Sequence, residues 1–234
     1  MQPTLTPDLP ALRRMLLEAR GRTLDYARDL TGEQLLGPRL DIVNPPLWEI
    51  GHVGWFQEHW CLRYRRGSDP APPLIANADA LYDSAIVPHG ARWTLPLPDL
   101  EATLRYLERI HDRVLERLEN EGVSEHMQYF VQLAAFHEEM HCEAFTYTRQ
   151  TLGYRAPGSE GLPEADLGSG PWAGDAEIPG GEFMLGAASK DAGFVFDNEK
   201  WAHPVTIAPF RIARAPVTNI EFAVFIEEGG YQRQ

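Results

Sequence analysis

Apolar residues return at three- and four-residue steps along four stretches of the chain, the period of helix faces turned toward a core. Leu12, Met15, Leu16, Ala19, Tyr26 and Leu30 trace a first helix from about Asp8 to Leu30, closed by Thr31-Gly32. Asn44-Pro45-Pro46 reads as an N-cap followed by proline in the first turn, opening a second helix that runs to about Arg65. Asp99 caps a third, with Leu100, Leu104, Leu107, Val114 and Leu118 on one face. A fourth spans about Ser124 to Leu152, with the stripe Phe130, Ala134, His137, His141, Phe145, Thr148 and Leu152, and Gly153 stops it. The connection from Gly67 to Pro98 is long, and its Leu74, Ile75, Leu81, Tyr82, Ile86, Val87 and Trp93 suggest packing onto the domain. Four helices with one long connection predict a four-helix bundle.

Past Leu152 the pattern changes. Ala156-Pro157-Gly158-Ser159-Glu160-Gly161 and Gly168-Ser169-Gly170-Pro171 have linker composition. Ile178 to Gly186 reads as a turn and short strand, Pro204 to Ile212 alternates as strands do, and Thr218 caps a helix reaching about Ile226. The expected organisation is a helical domain over 1–154, a linker over 155–175 and an α+β segment over 176–234. That last segment holds too few elements to close a mixed domain, so a cut C-terminus is expected.

On two of the helix faces, histidines stand where leucines belong. His137 and His141 are one turn apart, and the second helix carries the stripe Trp48, His52, Trp55, His59 and Leu62. A buried neutral imidazole needs hydrogen-bond partners or a metal, and i, i+4 spacing lets two ring nitrogens reach one ion. His52, between Gly51 and Gly54, is the best third ligand; His59 is the alternative, with a structural role the preferred reading, and His111 is also read as structural. Three imidazoles on facing helices make a site with open positions. They suit Fe(II), Zn(II), Ni(II) and Cu(II) alike, so ligand type does not choose the metal. His137-Glu138-Glu139-Met140-His141 also spells the zinc-protease pattern, with Glu138 as its base. The metzincin extension would need glycine and histidine where Ala144 and Tyr147 stand, and no downstream helix offers a third ligand.

Composition narrows the partners. A formal net charge of -13 argues against nucleic acid or an anionic membrane. Two cysteines, Cys61 and Cys142, make no disulfide framework and point to a reducing compartment. The start of the chain lacks a basic region followed by an apolar run, so a cytoplasmic location is expected. A small-molecule substrate fits, and Arg92-Trp93 in the long connection could bind an anionic or sugar-like one.

Two groups of motifs also carry a resemblance. Trp48-Glu49-Ile50-Gly51-His52 and His137 to Glu143 resemble the metal motifs of DinB-type bundles. Ile178-Pro179-Gly180-Gly181-Glu182-Phe183, Phe196-Asp197-Asn198-Glu199 and Pro216-Val217-Thr218-Asn219 resemble the opening of a formylglycine-generating-enzyme-like domain, a C-type-lectin-like α+β fold. Motifs in this order resemble the ergothioneine-type sulfoxide synthases and their relatives, including selenoneine synthase. The resemblance implies a non-haem Fe(II) oxidoreductase that uses O2 to join sulfur or selenium to the imidazole carbon of hercynine, with His52, His137 and His141 as iron ligands. It implies aromatic contacts for the betaine's quaternary ammonium, for which Trp48, Trp55 and Tyr129 are available. Synthases that use gamma-glutamylcysteine carry several arginines after the second helix, where this chain has Arg92 alone; Met140 stands where a glutamine is often found. Arg92 and Trp93, with Asp83 before them, look more like selenoneine synthase, whose donor resembles a selenosugar. The family's catalytic tyrosine and much of its substrate pocket fall in a later half of the second domain. The competing class is a DinB-type thiol transferase, or a non-catalytic metal-binding module.

Overall fold

The computed structural model describes residues 7–157, 173–188 and 193–233. The chain divides after residue 160 into two compact units. Most of the linker expected over 155–175 lies outside the described residues.

The first unit is the expected bundle. Its long helices are α1 (Leu9–Ala27), α2 (Pro46–Glu58), α4 (Leu100–Glu121) and α5 (Glu125–Thr151). Three begin at the predicted starts, and at each a side chain caps the helix: Asp8, Asp99 (the predicted cap) and Ser124 accept from the backbone N–H of Ala11, Ala102 and Met127. The second start differs from expectation. Pro45 is the capping residue and Pro46 the first helical one, so Asn44 is no cap. Its amide oxygen instead accepts a 2.6 Å hydrogen bond from Arg92. Helix α2 then passes into a π-helical turn, His59–Arg63.

Helix α1 packs on α5, and α2 is clasped between α4 and α5. Being enclosed, α2 buries every residue except Phe56, which explains why its stripe reads so broadly apolar. Trp48, Ile50, Leu12, Leu16, Leu107, Ile110 and Phe145 form the centre of the core. The two α2 glycines serve packing rather than a bound group. A Cβ on Gly51 would lie 2.2 Å from the Tyr82 ring, and one on Gly54 would lie 2.7 Å from Leu107.

The long connection is structured. It contains α3 (Ala78–Tyr82) and is tied to α2: Glu58 accepts from the Leu74 N–H, and Arg63 holds both Asp79 and the Ala71 carbonyl. The same Glu58 carboxylate accepts from the Tyr106 hydroxyl at 2.5 Å, so one buried acid joins α2, α4 and the connection.

Helix α5 is rotated from the expected orientation. Its buried face carries Met127, Val131, Ala134, Glu138, Cys142, Phe145 and Thr148, while His137 and His141 sit half-buried at its edge. Burial of an acid rather than an imidazole follows from its partner, described below.

In the second unit, β1 (Asp175–Ile178) pairs antiparallel with β4 (Phe210–Ala213), and β2 (Gly181–Leu185) with β3 (His203–Ile207). Pro179-Gly180 forms the turn before the expected short strand, and Ala208-Pro209 separates the expected alternating run into β3 and β4, giving two separate two-stranded sheets among the described residues. Gly180 makes the crossing possible, since a Cβ there would lie 2.6–2.8 Å from the backbone of Ala208 and Pro209. Thr218 caps α6 (Asn219–Glu227) in a capping box with Glu221. Among the described residues of this unit, only Val195 and Gly230 are buried, and Phe183, Phe210, Ile212 and Phe222 are exposed.

Candidate metal centre

Helices α2 and α5 bring three imidazoles together. His52, His137 and His141 each offer a ring nitrogen, and these atoms all lie within 4.8 Å of one another. The Nε2 atoms of His137 and His141 are 3.2 Å apart, and their Cα positions are one helical turn apart on α5. His52 meets both rings edge-on, with centroids 5.0 and 4.9 Å away.

The other ring nitrogens are held from outside. His52 Nδ1 lies 2.7 Å from the Tyr82 carbonyl, which can only accept, so this nitrogen carries the hydrogen and Nε2 keeps its lone pair. His141 Nδ1 lies 2.6 Å from Oε1 of Glu49, a fully buried carboxylate one turn before His52. A carboxylate behind an imidazole sets its tautomer and raises its basicity as a ligand. His137 is set by stacking, its ring flat on Phe56 at 3.6 Å, and its Nδ1 has no hydrogen-bond partner among the described residues. Burial, helped by the neighbouring His141, pushes His52 down to about 3, and burial also holds His137 well below the usual imidazole value. Both are therefore neutral near pH 7. The converging neutral nitrogens fit a divalent ion of borderline softness, which would use lone pairs that otherwise face one another.

Behind Glu49 is a stack. The Arg92 guanidinium lies 3.9 Å over Trp48, and Trp48 lies flat against His52 at 4.8 Å. Trp48 also donates to the Leu81 carbonyl and is fully buried. Trp55 is spent on Asp79. Neither indole is free to receive a substrate cation, so two of the three expected aromatics are structural; Tyr129 lies half-buried, edge-on to Phe130.

Glu138 is oriented away from protease chemistry. Both its oxygens accept from Arg20, at 2.7 and 3.3 Å, and Arg20 further donates to Gln57 and to the Leu107 carbonyl. The second letter of the H-E-x-x-H pattern is a core ion pair joining α1 to α5.

Residues 15–145 match the DinB superfamily, more than half of the chain. The chain belongs to the DinB superfamily. Residues 169–234 match the sulfatase-modifying factor enzyme 1-like domain. This DinB protein is 32% identical to "Hercynine oxygenase" of Mycolicibacterium thermoresistibile over 238 residues, covering 97% of the chain and 50% of that protein. It is also 32% identical to "Hercynine oxygenase" of Mycobacterium tuberculosis, over 92% of the chain and 50% of that protein. "Formylglycine-generating enzyme" of Thermomonospora curvata is 41% identical over 58 residues, 25% of the chain and 19% of that protein. The chain spans about half the length of the hercynine oxygenases it matches. No helix among the described residues is long and apolar enough to cross a membrane.

Met140 is half exposed on α5, between His137 and His141. Asp83 follows Tyr82 and accepts from the Ala85 N–H. Trp93 points its indole N–H to the Gly37 carbonyl. His59 lies outside the group, tilted against Trp55 at 5.3 Å. His111 is buried on α4, and neither ring nitrogen has a hydrogen-bond partner among the described residues.

Glu49 and Phe56 were not legible as site residues. The available signal for Glu49 was an acid inside a helix whose other residues are nearly all apolar. Glu49→Ala is expected to weaken metal binding by about 10–100-fold, as the loss of an outer carboxylate does. Competition with a chromophoric chelator measures it, and unchanged affinity would remove Glu49 from the site.

Proposed function

We propose that His52, His137 and His141 hold Fe(II), and that the full-length protein is an O2-dependent oxidoreductase acting on hercynine. The supporting observation is the three-histidine group with two of its rings oriented from behind, in a chain related to hercynine oxygenases over nearly all its length. Fe(II) would supply a redox-active ion with open coordination positions. The chain's own residues fix the ligands in place: the Tyr82 carbonyl for His52, Glu49 for His141, and Phe56 for His137. Phe56, half-buried and flat on a ligand, is the aromatic face nearest the group, and it suits a quaternary ammonium better than the enclosed Trp48 and Trp55. Met140, Asp83, Arg92 and Trp93 are the proposed substrate-side residues.

For the second substrate we favour a selenosugar, giving a C–Se bond to the hercynine imidazole, over gamma-glutamylcysteine. Arg92 is already engaged by Trp48 and Asn44, so it is a poor clamp for the several carboxylates of a peptide. The test uses full-length protein loaded anaerobically with Fe(II) and hercynine, then given O2 with either donor and read by mass spectrometry. An adduct only with the selenosugar supports this branch; an adduct only with the peptide transfers the activity to C–S bond formation. No adduct with either, together with tight zinc binding, would favour a thiol transferase or a metal-binding module.

A further inference from the structure

An unbroken run of aromatic rings leads away from the three-histidine group. The His137 ring lies on Phe56 at 3.6 Å, Phe56 faces Trp60 at 6.1 Å, and Trp60 meets Tyr64 at 4.9 Å. Helix α5 closes the run from its other side, with Phe130 stacked on Trp60 at 5.1 Å and His126 on Tyr64 at 6.0 Å. Rings with centres about 4.5–7 Å apart are contacting aromatic pairs, so no saturated segment interrupts the path. Trp60 lies in the π-helical turn and Tyr64 at its end, where the Tyr64 N–H closes the turn on the His59 carbonyl at 2.7 Å. Such turns recur at functional sites.

Indole and phenol are the aromatic side chains that give up an electron most readily, and each must then release its N–H or O–H proton. Trp48, Trp55, Trp60 and Tyr64 line up along α2 and its extension, and proton release separates them. Trp48 is fully buried, its N–H is aimed at the Leu81 carbonyl, and the Arg92 cation 3.9 Å above it opposes further positive charge. Trp55 donates to Asp79, but Arg63 holds both oxygens of that carboxylate and keeps it below its ordinary pKa, which makes it a poor base. Trp60 and Tyr64 are half-buried, and neither the indole N–H nor the hydroxyl makes a hydrogen bond among the described residues. Their protons can pass to water.

We propose that Trp60 and Tyr64 form an electron relay that drains stray oxidising equivalents from the three-histidine group through Phe56, sparing the imidazole ligands. The inference rests on reading that group as a redox-active metal centre. The oxidant is hydrogen peroxide, the two-electron reduction product of O2. Trp60 and Tyr64 each give up one electron and one proton, and peroxide takes up both pairs to become two water molecules. Two neutral ring radicals remain. Soluble thiols return a hydrogen atom to each ring and pair as a disulfide.

Two experiments on the whole chain test the relay, the first without metal. Met140→Cys places a half-exposed thiol between His137 and His141, while Cys61 and Cys142 are buried, so a ruthenium photo-oxidant attaches there. After a flash, transient absorption should show a tyrosyl radical that Tyr64→Phe removes and Trp60→Phe delays several-fold, with thermal midpoints near that of the parent. No such radical, or one unchanged by both substitutions, overturns the proposal. In the second experiment, protein of measured iron content receives peroxide without substrate and is mapped by peptide mass. Oxidation of His137 and His141 should rise several-fold in Trp60→Phe and stay at the parent level in Trp201→Phe, an exposed ring of the second unit. Equal ligand oxidation in Trp60→Phe and the parent, with iron bound, also overturns the relay. Failure to bind iron while the flash radical behaves as expected overturns the Fe(II) reading instead and upholds the relay.

Discussion

Arg20→Ala is expected to destabilise the bundle by about 3–5 kcal/mol, a large fraction of the stability of a domain this size. The magnitude is that of a buried ion pair losing one partner, because the remaining charge cannot be solvated. Arg20 donates four hydrogen bonds, to both oxygens of Glu138, to Gln57 and to the Leu107 carbonyl, and both members of the pair are almost wholly enclosed. Removing the guanidinium leaves these acceptors facing a cavity. Urea denaturation measures the loss as a fall in midpoint. The double variant Arg20→Met with Glu138→Met should recover much of it, since an apolar pair of similar volume removes the uncompensated charge. The same series separates two readings of Glu138. As a core partner, Glu138→Gln lowers stability and leaves metal affinity within a few-fold; as a base at the metal, it would leave stability unchanged.

His52→Ala is expected to cost more metal affinity than the roughly 100-fold upper range for a lost outer partner. It removes one of three converging nitrogens, and the one contributed by α2. Anaerobic titration with Fe(II), or with Co(II) as a spectroscopic probe, gives the affinity, and His59→Ala serves as the control because His59 lies outside the group. Equal losses in the two variants would reassign the third ligand. The protonation of His52 adds a pH dependence to the metal-free protein. Its folded value is pushed down to about 3 while the ordinary value is 6.5, so below about 6.5 the unfolded chain takes up a proton that the folded one refuses. Stability is therefore fully present above 6.5 and falls as the pH drops toward 3; His52→Asn should flatten that slope in acid denaturation.

Both effects come from residues whose types were legible and whose settings were not. The i, i+4 pair His137 and His141 announces a shared ligand because helical spacing alone puts two nitrogens on one side. His52 is the expected third ligand and His59, now in the π-helical turn after α2, the alternative; what the sequence could not show is the crossing of α2 with α5 that brings His52 to the pair. Glu49 became visible as the support of His141 across 92 positions of sequence, a contact that no local pattern encodes.

The amino-acid sequence by itself determined the four long helices, the caps at Asp99 and Thr218, the histidine pair, and the change of character after Leu152, because these depend on local periodicity, turn chemistry and composition. The tertiary structure decided the rest. It turned α5 so that Glu138 and not His137 faces the core, because Arg20 on α1 compensates a buried acid there. It enclosed Trp48 and Trp55 of α2, whose indole N–H groups found Leu81 and Asp79 of the connection. These outcomes depend on partners far apart in the chain, and only packing brings them within the few ångströms at which a charge or a lone pair is felt.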